Sequence, residues 1–231
     1  VVAGVTGLAL FASHSRGALI GAIAAGGVML IASPRSRLAS ITLAVAGICL
    51  SLLMLRSGTG NLNGDVPKLL ESISEITKMS DVRGANITSS NFSLIERFAH
   101  WQAAVNMATT HPLLGVGLGR YEDAYPDFRL SSWKHGLGHA HNVYLNVAAE
   151  TGLLGLAAYL LLCGVVFAST LRAIAQSLPE NRLFGIGLLG VWTHIAVHSL
   201  VDNLLVNNVH IYLGTLLGLL AVLIDRRPVA L

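Results

Sequence analysis

His139-Ala140-His141-Asn142 stands at the entrance of a long apolar run that continues to Glu150-Thr151-Gly152-Leu153-Leu154-Gly155. Two imidazoles and an amide at such a boundary are costly unless they are paired or used. A neutral imidazole takes a proton from a hydroxyl, which makes His139 and His141 candidate general bases. Other polar groups also interrupt apolar sequence. Arg16 lies in Ser13-His14-Ser15-Arg16-Gly17 between two apolar runs. It reads either as an arginine snorkelling to lipid phosphate or as a guanidinium held for an anionic ligand. Arg97 stands four residues before Trp101, on the same face of an expected helix. It reads either as an arginine stacked on that indole or as a second anion contact. His194, His198 and Asp202 recur at every fourth residue. That stripe suits a polar seam closing an aqueous pocket better than a metal site, because His194-Ile195-Ala196-Val197-His198 lacks the glutamate of the zinc-protease helix. Gly115-Val116-Gly117-Leu118-Gly119-Arg120 reads as a glycine-rich turn. Presenting amides to a phosphate is the alternative, but the nucleotide-binding spacing is missing.

These groups need a scaffold, and composition says which. The 231 residues are 53% hydrophobic and 12% charged, with mean hydropathy +0.65. Soluble domains carry about 25% charged residues, and several runs here approach the roughly 20 apolar residues that cross a bilayer. The expected fold is all-α, a polytopic transmembrane bundle with a long extracytoplasmic loop containing short helices. Val1–Phe11 reads as the end of a helix already under way, so residues 1–231 are expected to form one membrane domain that is a fragment of a larger one. No signal peptide is visible. Further spans are expected at Gly17–Ala32, Leu38–Leu55, Asn142–Ala168, Leu183–Val201 and Val209–Ile224. Cys49 and Cys163 sit inside apolar runs and read as inert thiols. The net charge of +3 gives no reason to expect nucleic acid.

Basic residues orient the spans. Arg35 and Arg37, Arg172 and Arg182, and Arg226 and Arg227 fall in alternate connections, which the positive-inside rule makes cytoplasmic. The turn at 13–16, the loop at 56–138 and the turn at 202–208 are then extracytoplasmic. Arg16, Arg97, His141 and Asp202 all belong to that side. Within the loop, Val66–Lys78 is expected to be a surface helix. Asn91–Thr109 is expected to be a stronger one, with capping-box spacing at Ser93 and Glu96 and an apolar stripe of Leu94, Phe98, Trp101 and Val105.

Two arginines suit a diphosphate and a histidine suits a hydroxyl nucleophile, which hints at transfer from a lipid diphosphate. At this point a family resemblance enters. His141-Asn142, nine residues, then Gly152-Leu153-Leu154-Gly155 matches the motif of the bacterial O-antigen ligase and polymerase family. Ser15-Arg16-Gly17-Ala18, Arg97-Phe98-Ala99-His100-Trp101, the run His111 to Gly119 and His198-Ser199-Leu200-Val201-Asp202 resemble further family segments, in order. The resemblance covers the C-terminal half of the family's membrane domain.

It implies an inverting, metal-independent glycosyltransferase without cofactor in the bacterial inner membrane, with a periplasmic active face. The implied donor is a glycan on undecaprenyl diphosphate. The acceptor is a lipid- or glycan-linked hydroxyl, as in lipopolysaccharide or exopolysaccharide biosynthesis. The catalytic histidine falls on His141, and the diphosphate arginines on Arg16 and Arg97. His139, Asn142 and Asp202 are expected at the substrate site. A transporter or flippase for lipid-linked glycans is the rival, and an inactive scaffold of the same family is another. A transporter's charges would line a path through the bilayer instead of gathering on one side.

Overall fold

The computed structural model describes residues 2–13, 15–33, 82–84, 86–89, 91–206 and 208–225. Among them every regular element is a helix: α1 (Val2–Ala12), α2 (Arg16–Ala32), α3 (Phe92–Thr110), α4 (Tyr121–Phe128), α5 (Val143–Gln176), α6 (Pro179–His198) and α7 (Val209–Asp225). The expected span at 38–55 and the expected surface helix at 66–78 lie outside the described residues. Helices occupy the positions of the other expected spans.

α5 has 34 residues and is the one described helix long and apolar enough to cross a membrane. Its most apolar window is only 6% buried, and Leu153, Leu154, Leu160, Leu161 and Leu162 are exposed. An apolar surface of that kind is stable facing hydrocarbon and unstable facing water. α2 and α7 have 17 residues each, about 26 Å at ~1.5 Å per residue. α5 runs past its expected end because Ala168–Gln176 still favours helix. It stops at Ser177 and Leu178, both extended, since the residue before Pro179 avoids the helical region. Pro179 then opens α6, where its missing N–H costs nothing.

The short connector makes α5 and α6 antiparallel neighbours. Ala173 of α5, Leu188 and Trp192 of α6, and Leu220 and Leu223 of α7 share one core. α2 lies antiparallel along α6 through small residues. A Cβ on Gly17 would come within 2.7 Å of the His198 ring and Val201, and one on Gly21 within 3.0 Å of His194. The starts of α2 and α5 therefore meet the end of α6, while Arg172 and Arg182 belong to the opposite end.

α3 packs on α5 through Ala103, Ala104 and Met107, which meet Ala149 and Leu145. The buried face of α3 is Ile95, Phe98, Ala99, His100, Ala103, Ala104 and Met107. This rotates the expected stripe, since Val105 is exposed. Alanines won that face because they allow close approach between helices, which a count of large apolar residues overlooks. The expected capping box does not form either. Asn91 is the N-cap and makes no side-chain cap bond. Its Oδ1 instead accepts from the N–H of Thr88, and its Nδ2 donates to the carbonyl of Asn86.

α4 was hidden in the sequence by its eight residues and by Pro126. Glu122 and Asp123 sit in its first turn, where the helix dipole favours them. Tyr121 and Tyr125, one turn apart, are fully buried against α3 and α5.

Candidate active site at the start of α5

His141 has a left-handed backbone, φ +52°, which costs a side-chain-bearing residue about 1–2 kcal/mol. Neighbours hold it there. Its N–H donates to Nδ1 of His139 at 3.1 Å. Its carbonyl accepts from Nε1 of Trp101 at 3.3 Å. The next residue, Asn142, is the N-cap of α5. Its Oδ1 accepts from the N–H of Leu145 at 3.0 Å, and its Nδ2 donates to the carbonyl of Leu200 at 2.8 Å. Val143 N–H donates to the carbonyl of Ser199, and the Tyr144 hydroxyl to that of Ala196. Asn142 is buried; the oxygen of its amide caps α5 and the nitrogen ties α5 to the residues that follow α6.

That join delivers Asp202. Its Oδ1 lies 3.6 Å from Nδ1 of His141, in ion-pair range but longer than a hydrogen bond. Its Oδ2 lies 3.9 Å from Nη2 of Arg97. The N–H of Asn203 donates to Oδ1 at 2.8 Å. His141 beside it, then the Asn203 amide and Arg97, hold the Asp202 carboxyl down to about 2, against the opposing effect of burial. The carboxylate is thus charged throughout the neutral range, and its contribution to stability is lost progressively as pH falls from near the ordinary 3.8 through about 2.

α3 supplies the rest. Arg97, His100 and Trp101 lie within one turn and share a face. Arg97 reaches Asp202, and Trp101 meets Phe98 edge-on at 5.1 Å while holding the His141 carbonyl. The His100 ring lies 5.6 Å from that of His141 and the His139 ring 4.4 Å, both edge-on. The resulting group is three imidazoles beside a carboxylate and a guanidinium. Burial, then His141, lowers His139 from the ordinary histidine value. A neutral His139 that accepts at Nδ1 carries its proton on Nε2. Both ring nitrogens of His141 are buried and have no hydrogen-bond partner among the described residues. Such atoms are uncommon, and each asks for an explanation such as a ligand or a catalytic role.

Arg16 opens α2 behind its cap Ser15, whose Oγ accepts from the N–H of Ala18 at 3.2 Å. With Gly17 against His198 and Val201, the backbone of Arg16 stands at the end of the bundle that carries Asp202. His194 and His198 meet edge-on at 5.5 Å beside Gly21 and Gly17. Asp202 departs from their stripe and turns to His141 and Arg97. Among the described residues no three histidine, cysteine, aspartate or glutamate side chains are placed to hold one metal ion.

The glycines after His141 also acquire a reason. Residues 143–151 form two and a half helical turns. At Gly152 the backbone breaks to φ +67°, ψ −166°, a region open essentially to glycine alone. The break lets Leu153 N–H reach the carbonyl of Pro112, while Val116 and Gly117 donate to the carbonyls of Ala149 and Glu150. The buried Glu150 carboxylate accepts from the N–H groups of Gly119 and Tyr121, at 3.0 and 3.2 Å. The glycine-rich turn therefore spends these amides on α5 and does not offer them to a phosphate.

His139→Ala removes the acceptor for the His141 N–H. One lost hydrogen bond of about 1 kcal/mol should lower the melting temperature in detergent by roughly 3 °C.

A family described as O-antigen ligase matches residues 1–160. Exopolysaccharide production protein ExoQ of Rhizobium meliloti (strain 1021) is 27% identical over 206 residues, covering 78% of this chain and 46% of that protein. The chain thus spans about half the length of that relative. Asp202 lies beyond the stretch matched by the family and reaches the site only through folding. Since the match takes in well over half of the chain and runs through His141 to Gly155, the chain belongs to the O-antigen ligase family.

Proposed function

We propose that this chain is a membrane glycosyltransferase of polysaccharide biosynthesis, moving a glycan from an undecaprenyl-diphosphate carrier to an acceptor hydroxyl on the periplasmic side. The observation that carries the reading is Asp202, whose two oxygens address His141 and Arg97. A carboxylate facing Nδ1 favours the tautomer with its proton there. It leaves Nε2 as the bare acceptor and steadies the imidazolium that forms, as in other acid–base triads.

In the proposed step, Nε2 of His141 takes the proton of the acceptor hydroxyl as that oxygen attacks the anomeric carbon from the face opposite the diphosphate. The bond from carbon to diphosphate oxygen breaks, and the sugar inverts. Arg97 and Arg16 meet the charge growing on the departing lipid diphosphate. Fixed positive charge does most where charge develops. Guanidiniums in this role leave no step that calls for a metal or cofactor. Arg97 is 38% exposed, so its guanidinium can engage an anion without first leaving Asp202. The sidedness rests on Arg172 and Arg182 at the end of the bundle remote from His141, which the positive-inside rule makes cytoplasmic. Residues 1–231 then act as one membrane domain, with the described part of the loop, from residue 82 to residue 138, on its extracytoplasmic side. The ExoQ relative, named for exopolysaccharide production, supports a glycan product.

The test is His141→Ala in the full-length parent, expressed in its host at the wild-type level. Accumulated lipid-linked glycan with lost or shortened polysaccharide is the expected result, and product length separates ligation from polymerisation. Unchanged polysaccharide would overturn the reading. A second expectation concerns Asp202→Asn, which imposes at neutral pH the loss of charge that the wild type meets only near pH 2. Turnover should fall roughly 100-fold, within the range of a general-base contribution, with protein yield retained.

A further inference from the structure

His100 has no place in the step just described, yet it is completely buried beside the proposed base. Its surroundings are specific. The Tyr121 hydroxyl donates to the His100 carbonyl at 3.0 Å. Its oxygen also lies 3.3 Å from His100 Nδ1. With the phenol proton committed to the carbonyl, Nδ1 must be the donor in the second contact, so His100 carries its proton on Nδ1. The Tyr125 ring stacks on the imidazole at 4.8 Å and 19°. Tyr121 is anchored in turn by its own N–H to the buried Glu150 carboxylate. A fully buried ring fixed by two tyrosines then presents itself to His141 at 75°.

Resting on the reading of His141 as the base, we infer that His100 is a positioning residue, a rigid wall that keeps the His141 imidazole aligned with Asp202. His141 needs such a wall. Its Nδ1 is 3.6 Å from Asp202, too long for a hydrogen bond to hold the ring unaided. His139 flanks it on one side at 4.4 Å, and His100 adds a second edge-on contact. Edge-to-face geometry is the favoured approach of aromatic rings. Burial, then His141 and His139, pushes His100 down to about 4, so it adds no positive charge beside a base that becomes cationic during turnover. The device couples the glycine-rich turn to the site, running from the Gly119 and Tyr121 amides through Glu150 and Tyr121 to His100 and His141.

The experiment uses the purified full-length protein with lipid-linked donor and acceptor, comparing His100→Ala, His100→Phe, Tyr121→Phe and His141→Asn. His100→Ala should lower kcat at least tenfold with the KM for the donor within twofold of wild type. His100→Phe keeps a flat ring against Tyr125 and His141 and should restore kcat to within about threefold. Tyr121→Phe frees the His100 ring without a cavity and should lower kcat several-fold. Full kcat in His100→Ala overturns the inference, and so does a His100→Phe variant as slow as His100→Ala. If His100→Ala does not fold, unchanged kcat in Tyr121→Phe overturns it. An active His141→Asn enzyme would instead remove the underlying reading.

Discussion

His141→Asn should lose at least 1,000-fold in turnover while folding as the wild type does. Asparagine is among the few residues that tolerate the left-handed region, so the φ of +52° is no obstacle to it. The Trp101 bond to the carbonyl of residue 141 and the His139 bond to its N–H use only the backbone of residue 141 and persist. What disappears is the imidazole. A general base contributes about 100- to 10,000-fold, and here the same ring also carries the alignment with Asp202. Steady-state transfer from lipid-linked donor measures the loss, and thermal unfolding in detergent checks the fold. Normal turnover in a folded variant would make His141 a structural residue. The replacement is sharper than alanine because it separates loss of the base from loss of the turn.

Gly152→Ala should be the most damaging single change to the fold. At φ +67°, ψ −166° an alanine is strained by about 1–3 kcal/mol. Its Cβ would also collide with the backbone of Leu113. That neighbour is held by its own hydrogen bond to Leu154 and cannot rotate away as a side chain would. Overpacking adds about 1–3 kcal/mol, so the sum reaches about 4 kcal/mol, a large part of a domain's stability. We expect little folded protein, or a melting temperature lowered by roughly 10 °C. Gly164→Ala is the control. It lies on the same helix, nothing stands within 4 Å of its Cβ position, and it should be as stable as wild type or slightly more so. Equal stability of the two variants would show that the break at Gly152 is dispensable.

These two residues belong to one motif but do different work, and its spacing has a mechanical meaning. The helical segment 143–151 sets the distance between His141 at one end and the clamp on Pro112–Gly117 at the other. Between them, Glu150 ties that clamp to Tyr121. The proposed base and the glycine-rich clamp are therefore linked through a single short helix.

Much of this was legible from local pattern. Runs of apolar residues mark α1, α2, α5, α6 and α7 because a membrane helix must bury each backbone polar group within itself and cover it with apolar side chains. That constraint acts on consecutive residues and is written in them. Arg16, His141 and Asp202 stood out as polar groups at the ends of apolar runs, and Arg97 by its spacing to Trp101 on the loop helix. His100 gave no such signal, since one histidine inside a mixed helix carries no local mark of burial. α4 was too short and too polar to register as periodic. Gly115–Arg120 reads as a glycine-rich turn, and the phosphate cradle stayed open as its alternative because sequence shows which amides exist and cannot show what accepts from them.

Sequence by itself determined the helical membrane class, the ends of most spans and the histidine–glycine motif, all consequences of interactions between near neighbours. Tertiary structure alone decided that Asp202 turns from the His194–His198 stripe to His141 and Arg97, that His100 stands behind His141, and that Gly152 exists to admit Leu113. Each of these depends on contacts between segments distant in the chain, whose geometry follows from helix packing and leaves no periodic trace in the residues themselves.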